Sequence, residues 1–232
     1  MVSPVLVALD LPSLSDALDL ARRVAPHVGG FKVGLELMMS EGPRAVAEVA
    51  EIGMPVFADA KLHDIPNTVA GAARALGRHG ARWVTVHPGG REMVRVATEA
   101  LGEGSGGFAG ILVVTVLTSL DQDDLTELGV TRRLPEQVTA MAILAAEVGA
   151  EGVVCSPAEI EAARRGAPDA TVVTPGVRPA GPAGDDQKRV ATPAEAIAAG
   201  ANWLVVGRPI TAAADPVSAA EAIGAGLAKT GR

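Results

Sequence analysis

The chain has 232 residues, 48% of them hydrophobic, and a formal net charge of −7. This is enough for one domain with a full core, and we expect a single domain over residues 1–232. The basic residues are scattered, and the aromatic residues are three Phe and two Trp, with no Tyr. This composition argues against nucleic acid or an anionic membrane surface as the main partner.

Cysteine content and hydropathy exclude further classes of protein. Cys155 is the single cysteine, which excludes an internal disulfide and a cysteine-based metal cluster. No apolar stretch approaches the length of a membrane span, and the sequence begins with an apolar run over residues 5–10 rather than with a basic signal peptide. We therefore expect a soluble, cytoplasmic protein.

Short runs rich in β-branched residues recur along the chain. Most of them are continuously apolar, as expected for strands that are buried on both faces. The eight predicted strands cover residues 5–10, 30–35, 55–62, 82–88, 110–117, 152–156, 171–177 and 203–210. Ala-rich segments with helical spacing separate them. This alternation predicts a single-domain α/β protein with the (β/α)₈ or TIM barrel fold. An open doubly wound sheet is the alternative, although no GxGxxG follows the first strand.

Helix ends are marked by short motifs. Predicted N-caps are followed by proline at Ser156-Pro157, Thr192-Pro193 and Asp215-Pro216. Glycines at the ends of Ala-rich segments predict left-handed C-caps at Gly53, Gly80, Gly149 and Gly200. The segment 178–189 breaks the pattern because it is polar and rich in Gly and Pro. It is predicted to be a mobile lid, the alternative being an insertion without function.

The lysines are few and unusually placed. The chain has 16 Arg but only four Lys, and both Lys32 and Lys61 fall in predicted strands. Because a lysine can give up a proton and an arginine cannot readily do so, these two are candidate proton donors. The alternative is a lysine that extends from a strand end into solvent.

Acids accompany both lysines. Asp10 ends the first predicted strand, and Asp59 precedes Lys61 by two residues, so both side chains leave the third strand on the same face. In a TIM barrel, catalytic groups come from the carboxyl ends of the strands. A lysine flanked by carboxylates stays protonated and can deliver a proton to a developing anion. The pattern favours loss of CO₂ followed by protonation of the carbanion, and a salt-bridge ladder is the alternative.

The last two strands end in groups that suit a phosphate. Gly207 and Arg208 follow the eighth strand, and Arg178 follows the seventh. Glycine permits close approach of the backbone, arginine offers a fork of donors, and this is the usual phosphate site of the fold. Arg178 and Gln187 could close over the same phosphate, whereas Arg208 could instead be a surface charge.

The sequence DAKLHDIPNTV, at residues 59–69, occurs together with VALD, FKVG, LTS, TPGVR and VVGRPI. In this combination it resembles the orotidine 5′-monophosphate decarboxylases of the bacterial type, from end to end. The resemblance implies decarboxylation of orotidine 5′-monophosphate to UMP, the last step of de novo pyrimidine nucleotide synthesis, without a cofactor or metal. It implies that Lys61 protonates C6 of the pyrimidine and that Asp59 lies near the departing carboxylate. Lys32 and Asp64 would complete the charged set.

The same resemblance implies the substrate-binding groups. Asp10 would bind the ribose hydroxyls alongside Lys32, and Thr118 and Ser119 would lie near the pyrimidine. The implied lid and phosphate positions are Arg178, Gln187, Gly207 and Arg208. It also implies a homodimer in which three residues reach into the partner's site, namely Asp64, Ile65 and Thr68.

Two rival functions remain open. A metal-dependent sugar-phosphate decarboxylase or aldolase of the same barrel superfamily would need a Mg²⁺ site with an acid on the second strand. That strand carries Lys32, which would repel a cation, and Glu36 lies beyond its end. A non-catalytic phosphate-binding protein with a degenerate site is the other rival, and the complete charged set argues against it. His63 and His87 have no assigned role.

Overall fold

The computed structural model describes residues 2–178 and 191–228. Within this part of the chain, eight parallel strands pair in sequential order and close into a barrel. The strands are β1 (Val5–Ala8), β2 (Gly30–Val33), β3 (Val56–Leu62), β4 (Trp83–Val86), β5 (Gly110–Val114), β6 (Gly152–Val154), β7 (Thr171–Thr174) and β8 (Trp203–Val206). The prediction of a TIM barrel is therefore confirmed, and the alternative of an open doubly wound sheet is wrong.

Helices connect the strands and surround the barrel. They are α1 (Leu14–Val24), α2 (Leu35–Glu41), α3 (Arg44–Ala50), α4 (Pro66–Arg78), α5 (Arg91–Ser105), α6 (Gln122–Glu127), α7 (Leu134–Glu147), α8 (Ile160–Gly166), α9 (Pro193–Ala198), α10 (Arg208–Thr211) and α11 (Pro216–Ala228). Short 3₁₀ helices follow α1 at Ala25–His27 and precede α8 at Pro157–Glu159. No helix in the described ranges is long and apolar enough to cross a membrane.

The strands bury side chains on both of their faces. The barrel interior is filled by an apolar cluster of Leu6, Ala8, Phe57, Trp83, Leu112, Val173 and Val205. The alternate side chains, such as Val7, Phe31 and Val84, belong to a larger layer between the strands and the helices. This double burial explains why the strand sequences are continuously apolar.

All three predicted helix-start motifs precede a helix, although only two of these helices are α-helices. The Thr192 hydroxyl and the Glu195 side chain form a capping box at α9, and the Asp215 carboxylate accepts hydrogen bonds from the first turn of α11. Ser156 is an N-cap residue of a 3₁₀ helix instead, and its hydroxyl contacts the Glu159 carboxylate rather than the backbone. The four glycines predicted as left-handed C-caps all have positive φ.

Four residues, here called the amino-end cluster, close the barrel at the amino ends of its strands: Arg82, Trp83, Glu151 and Trp203. Arg82 donates two hydrogen bonds to the Glu151 carboxylate, at 2.5 and 2.7 Å, and the Trp83 indole N–H donates a third at 2.8 Å. The guanidinium of Arg82 lies 4.7 Å from the centroid of the Trp83 ring, and Trp203 packs against Trp83 at 5.2 Å. The charges of Glu151 and Arg82 are thus paired within the cluster.

Candidate active site

Strands β1, β2 and β3 bring the predicted acids and lysines together. In the sheet register, Lys32 of β2 pairs with Ala8 of β1 and with Phe57 of β3. Its neighbours Phe31 and Val33 pack outward against the helices, so the alternation of the strand turns Lys32 inward. Its buried side chain therefore points into the barrel between the ends of β1 and β3.

The four residues Asp10, Lys32, Asp59 and Lys61 form what we call the charged array. The Lys32 ammonium lies 2.8 Å from Asp10 Oδ1 and 3.7 Å from Asp59 Oδ2. The Lys61 ammonium lies 2.7 Å from the same Asp59 oxygen. Side-chain exposure is 9% for Lys32 and 14% for Asp59, but 30% for Lys61 and 46% for Asp10. The inner pair is thus shielded from water, and the outer pair faces the opening.

The backbone is distorted where Asp59 and Lys61 leave β3. The register between β3 and β4 shifts between Ala58 and Leu62, which pair with Val84 and Val86. Lys61 has a φ of +47°, and among the described residues no other non-glycine residue has positive φ. This left-handed conformation is unfavourable for a residue with a Cβ, and such outliers are concentrated at functional sites.

Thr85 was not identified from the sequence. Its hydroxyl accepts a hydrogen bond from the Lys61 N–H at 2.9 Å and donates one to Asp59 Oδ1 at 2.9 Å. A threonine in an apolar strand is expected from β propensity alone. The available signal was only its position, two residues before His87 in the strand next to the DAK sequence.

The surroundings of Asp59 keep its carboxyl group ionised. Burial raises the pKa of Asp59. The charges of Lys32 and Lys61 and the hydrogen bonds from Lys61 and Thr85 lower it, and their combined effect is larger than that of burial. The net direction is a pKa below the ordinary value. Asp59 is therefore a carboxylate anion at neutral pH, in contact with the side chains of Lys32 and Lys61.

His87 follows β4 near Lys61 and packs at an edge-on angle to His63, with their ring centroids 6.4 Å apart. Burial lowers the pKa of His87, and electrostatic interactions with Lys61 and His63 lower it further, against an opposite effect of Asp59. The imidazole of His87 is accordingly neutral at physiological pH.

A cavity of about 650 Å³ opens at the carboxyl ends of the strands and is lined by all four members of the charged array. Four other predicted site residues line it as well, namely Thr118, Arg178, Gly207 and Arg208. Glu36 also lines the cavity, and apolar residues that include Phe57 and Val154 form another part of its wall. The cavity thus combines a charged region, an apolar wall and two arginines.

Four other predicted site residues that the structure describes are not brought to this cavity. Ser119 is exposed and is not part of the cavity wall, in contrast to Thr118. Asp64, Ile65 and Thr68 are exposed around the start of α4, where the Asp64 carboxylate accepts a hydrogen bond from the Ile65 N–H. Gln187 and the predicted lid beyond Arg178 lie outside the described residues.

A closed parallel barrel with ionised side chains around a cavity at the carboxyl ends of its strands is the arrangement of a (β/α)₈-barrel enzyme. A family model described as "Orotidine 5'-phosphate decarboxylase / HUMPS family" matches residues 3–223. The chain belongs to this family.

Individual relatives agree with the family match. A protein of Moorella thermoacetica named orotidine 5'-phosphate decarboxylase is 53% identical, covering 95% of this chain and 90% of its own. One of the same name from Anaeromyxobacter dehalogenans is 54% identical, covering 95% and 96%. The crystal structure of orotidine 5'-phosphate decarboxylase from Lactobacillus acidophilus has a TM-score of 0.85 at 38% identity, covering 97% and 99%. The chain is thus an enzyme of the lyase class, as expected from the sequence.

Proposed function

We propose that the protein decarboxylates orotidine 5′-monophosphate to UMP, the last step of de novo pyrimidine nucleotide synthesis, and that it does so without a cofactor. The observation that carries the proposal is the charged array, in which two carboxylates and two ammonium groups alternate around one end of the cavity. The names of the relatives supply the substrate, and the array supplies chemistry that fits it.

Lys61 is the proton donor in this proposal. When the bond between C6 and the carboxylate breaks, CO₂ leaves and the electron pair stays on C6. The Lys61 ammonium, the more exposed of the two lysines, then transfers a proton to C6 and later regains one from water. Its contact with the Asp59 carboxylate, at 2.7 Å, holds the Lys61 side chain at this end of the cavity.

Asp59 and Lys32 set the electrostatic field in which the carbanion forms. The Asp59 carboxylate is held in place by Thr85 and by both lysines, so it is a fixed anion beside the reacting group. It would be repelled by the substrate carboxylate and not by neutral CO₂. The two ammonium groups stabilise negative charge on C6 without any reorganisation at the moment of reaction.

The arginines bind the phosphate of the substrate in our proposal. Arg178 and Arg208 follow adjacent strands and line the same cavity, and Gly207 lets the backbone come close. Asp10, at the outer end of the array, binds ribose hydroxyls, and Thr118 lies near the pyrimidine. The phosphate is remote from the bond that breaks, so its binding energy would serve to organise the site.

The residues present do not suit the metal-dependent sugar-phosphate rival. A divalent cation would have to be held by Asp10 and Asp59, the carboxylates nearest the reacting position. The Lys32 ammonium already lies between them, 2.8 Å from Asp10 and 3.7 Å from Asp59. A divalent cation there would be repelled by the Lys32 ammonium group.

Asp64, Ile65 and Thr68 complete the site of a partner subunit in our proposal, so the enzyme acts as a homodimer. All three are exposed in the single chain, and none lines its own cavity. The Ile65 side chain is 68% exposed in the single chain and is therefore accessible to a second subunit. The expected cytoplasmic location stays a prediction.

The activity is tested by mixing the purified protein with orotidine 5′-monophosphate and EDTA and following the loss of orotate absorbance. The proposal predicts rapid loss that is absent in a Lys61→Ala variant of unchanged circular dichroism. Activity that requires a metal would favour the sugar-phosphate rival. A folded wild-type protein without turnover would exclude the proposed reaction.

The shared site is tested by mixing two inactive variants, Lys61→Ala and Asp64→Asn. In a hybrid dimer, one site then contains an intact Lys61 from one subunit and an intact Asp64 from the other. After exchange of subunits, the mixture should recover about one quarter of the wild-type activity, as two-fold symmetry requires. No recovery in a mixture that contains hybrids would mean that Asp64 does not act in the partner's site.

A further inference from the structure

Thr85 connects the two reacting members of the charged array through one hydroxyl group. The side chain is fully buried in β4, next to the distorted end of β3. Its oxygen accepts the Lys61 N–H and its own hydrogen goes to Asp59 Oδ1, both at 2.9 Å. Thr85 does not line the cavity, so it contacts these groups from the side that faces away from the cavity.

The distortion of β3 explains why this position needs a hydroxyl. Between two paired positions, β3 advances by four residues, from Ala58 to Leu62, while β4 advances by only two, from Val84 to Val86. The residues between them are displaced from the regular ladder, and the Lys61 N–H bonds to a side chain instead of a carbonyl. A buried N–H without an acceptor is costly. A hydroxyl group can accept from that N–H and donate to the carboxylate at the same time.

We propose that Thr85 is a positioning residue, which holds Lys61 in its left-handed backbone conformation and orients the Asp59 carboxylate toward the Lys61 ammonium. This inference rests on the proposed function for the roles of Lys61 and Asp59. Without the hydroxyl, the backbone of Lys61 relaxes toward ordinary strand geometry, and the proton donor moves away from C6.

The first experiment compares Thr85→Val with Thr85→Ser and with a matched control. Valine keeps the shape and removes both hydrogen bonds, whereas serine keeps the hydroxyl. The control is Thr115→Val, because Thr115 directly follows β5, is also buried and donates its hydroxyl hydrogen to the Val154 carbonyl, outside the charged array. Thr85→Ala is the second deletion, used if the valine variant does not fold.

The expected result concerns turnover rather than binding. Misplacement of a catalytic group by about 1 Å costs about 100-fold, so kcat of Thr85→Val should fall about 100-fold while KM changes little. Thr85→Ser and Thr115→Val should stay within about fivefold of the wild type. An unchanged kcat in Thr85→Val, or a loss in Thr85→Ser as large as in Thr85→Val, would overturn the proposal.

The second readout does not depend on turnover. The pKa of the Asp59 carboxyl is measured by ¹³C NMR, with the signal assigned by its absence in Asp59→Asn. Thr85→Val should raise this pKa, because the ionised carboxylate loses a hydrogen bond, and Thr85→Ser should restore it. An identical pKa in the valine variant would contradict the role of Thr85. If the wild type shows no turnover, the proposed function fails, and this titration still decides on Thr85.

Discussion

The two ends of the barrel both contain partly buried charges, but they use them differently. In the amino-end cluster, one guanidinium and one carboxylate form a two-pronged pair, and the carboxylate also accepts the Trp83 N–H. In the charged array, Lys32 and Lys61 share a single oxygen of Asp59, and the chain of contacts ends in exposed Asp10. The first arrangement is closed, and the second is open toward a cavity.

The backbone shows the same contrast. The amino-end cluster lies at the starts of the strands, where the pairing is regular. There β4 pairs in continuous register with β5, and with β3 as far as Ala58. The charged array lies on a distorted strand end with Lys61 in a left-handed conformation. A strained backbone conformation lowers the stability of the fold and persists only where the surrounding structure enforces it. The comparison teaches that the amino end stabilises the barrel and the carboxyl end is organised for a ligand.

Apart from the loss of Lys61 itself, the largest expected effect comes from breaking the array at its buried lysine, Lys32. Lys32→Met preserves length and removes the charge between Asp10 and Asp59, which are then left to repel each other. We expect a loss of about 10³-fold in kcat/KM on orotidine 5′-monophosphate, since stabilisation of the developing anion disappears. Orotate absorbance measures the loss, with folding checked by circular dichroism. A variant within tenfold of the wild type would show that Lys32 is only structural.

A smaller loss is expected from crowding the array without removing any charge. A Cβ on Gly34 would lie 2.6 Å from the Lys32 ammonium and closer still to the Asp10 carboxylate. Gly34→Ala should therefore separate this pair and lower kcat/KM about 100-fold.

The control for that prediction is Gly102→Ala in α5, where an added Cβ has no neighbour within 4 Å. Because alanine favours helix over glycine, this variant should be about 0.5–1 kcal/mol more stable and fully active. Equal losses of activity in both variants would mean that crowding of the array is not the cause.

At the other end of the barrel, the expected effect is on stability alone. Glu151→Gln leaves the Arg82 guanidinium without its counter-charge, and the free energy of unfolding should fall by about 1–3 kcal/mol. Urea denaturation measures it, with Glu161→Gln as the control, because the Glu161–Arg165 pair is exposed and should contribute less than about 1 kcal/mol. A large loss of kcat in Glu151→Gln would contradict the claim that the amino-end cluster contributes to stability and not to activity.

The smallest expected effect is a dependence of stability on pH. Because the pKa of Asp59 is below its ordinary value of 3.8 in the folded protein, ionised Asp59 contributes stability above that value and loses it as the pH falls through the lower folded value. The difference in unfolding free energy between the wild type and Asp59→Asn should be constant above about pH 5. It should shift in favour of the variant below 3.8. A shift in favour of the wild type on acidification would contradict this assignment.

Much of the fold followed from the sequence because each strand is buried on both faces. Apolar runs rich in β-branched residues therefore marked all eight strands, and charged residues within these runs or at their ends located the charged array. The role of Thr85 could not be predicted, since it depends on the register shift of β3, a property of paired strands rather than of one segment. Ser119 was expected to lie near the pyrimidine together with Thr118, but its side chain is exposed. The sequence could not show this, because the path of a loop is set by its tertiary contacts.

The most direct test of the central claim separates the proton of Lys61 from its charge. Lys61→Arg keeps a positive charge next to Asp59 but cannot readily give up a proton. We measure kcat on orotidine 5′-monophosphate, with EDTA present, for the wild type, Lys61→Arg and Lys61→Ala, after confirming that all three fold and bind UMP. Both variants should lose at least about 10⁴-fold. A Lys61→Arg enzyme that keeps a tenth or more of the wild-type rate would contradict proton delivery by Lys61.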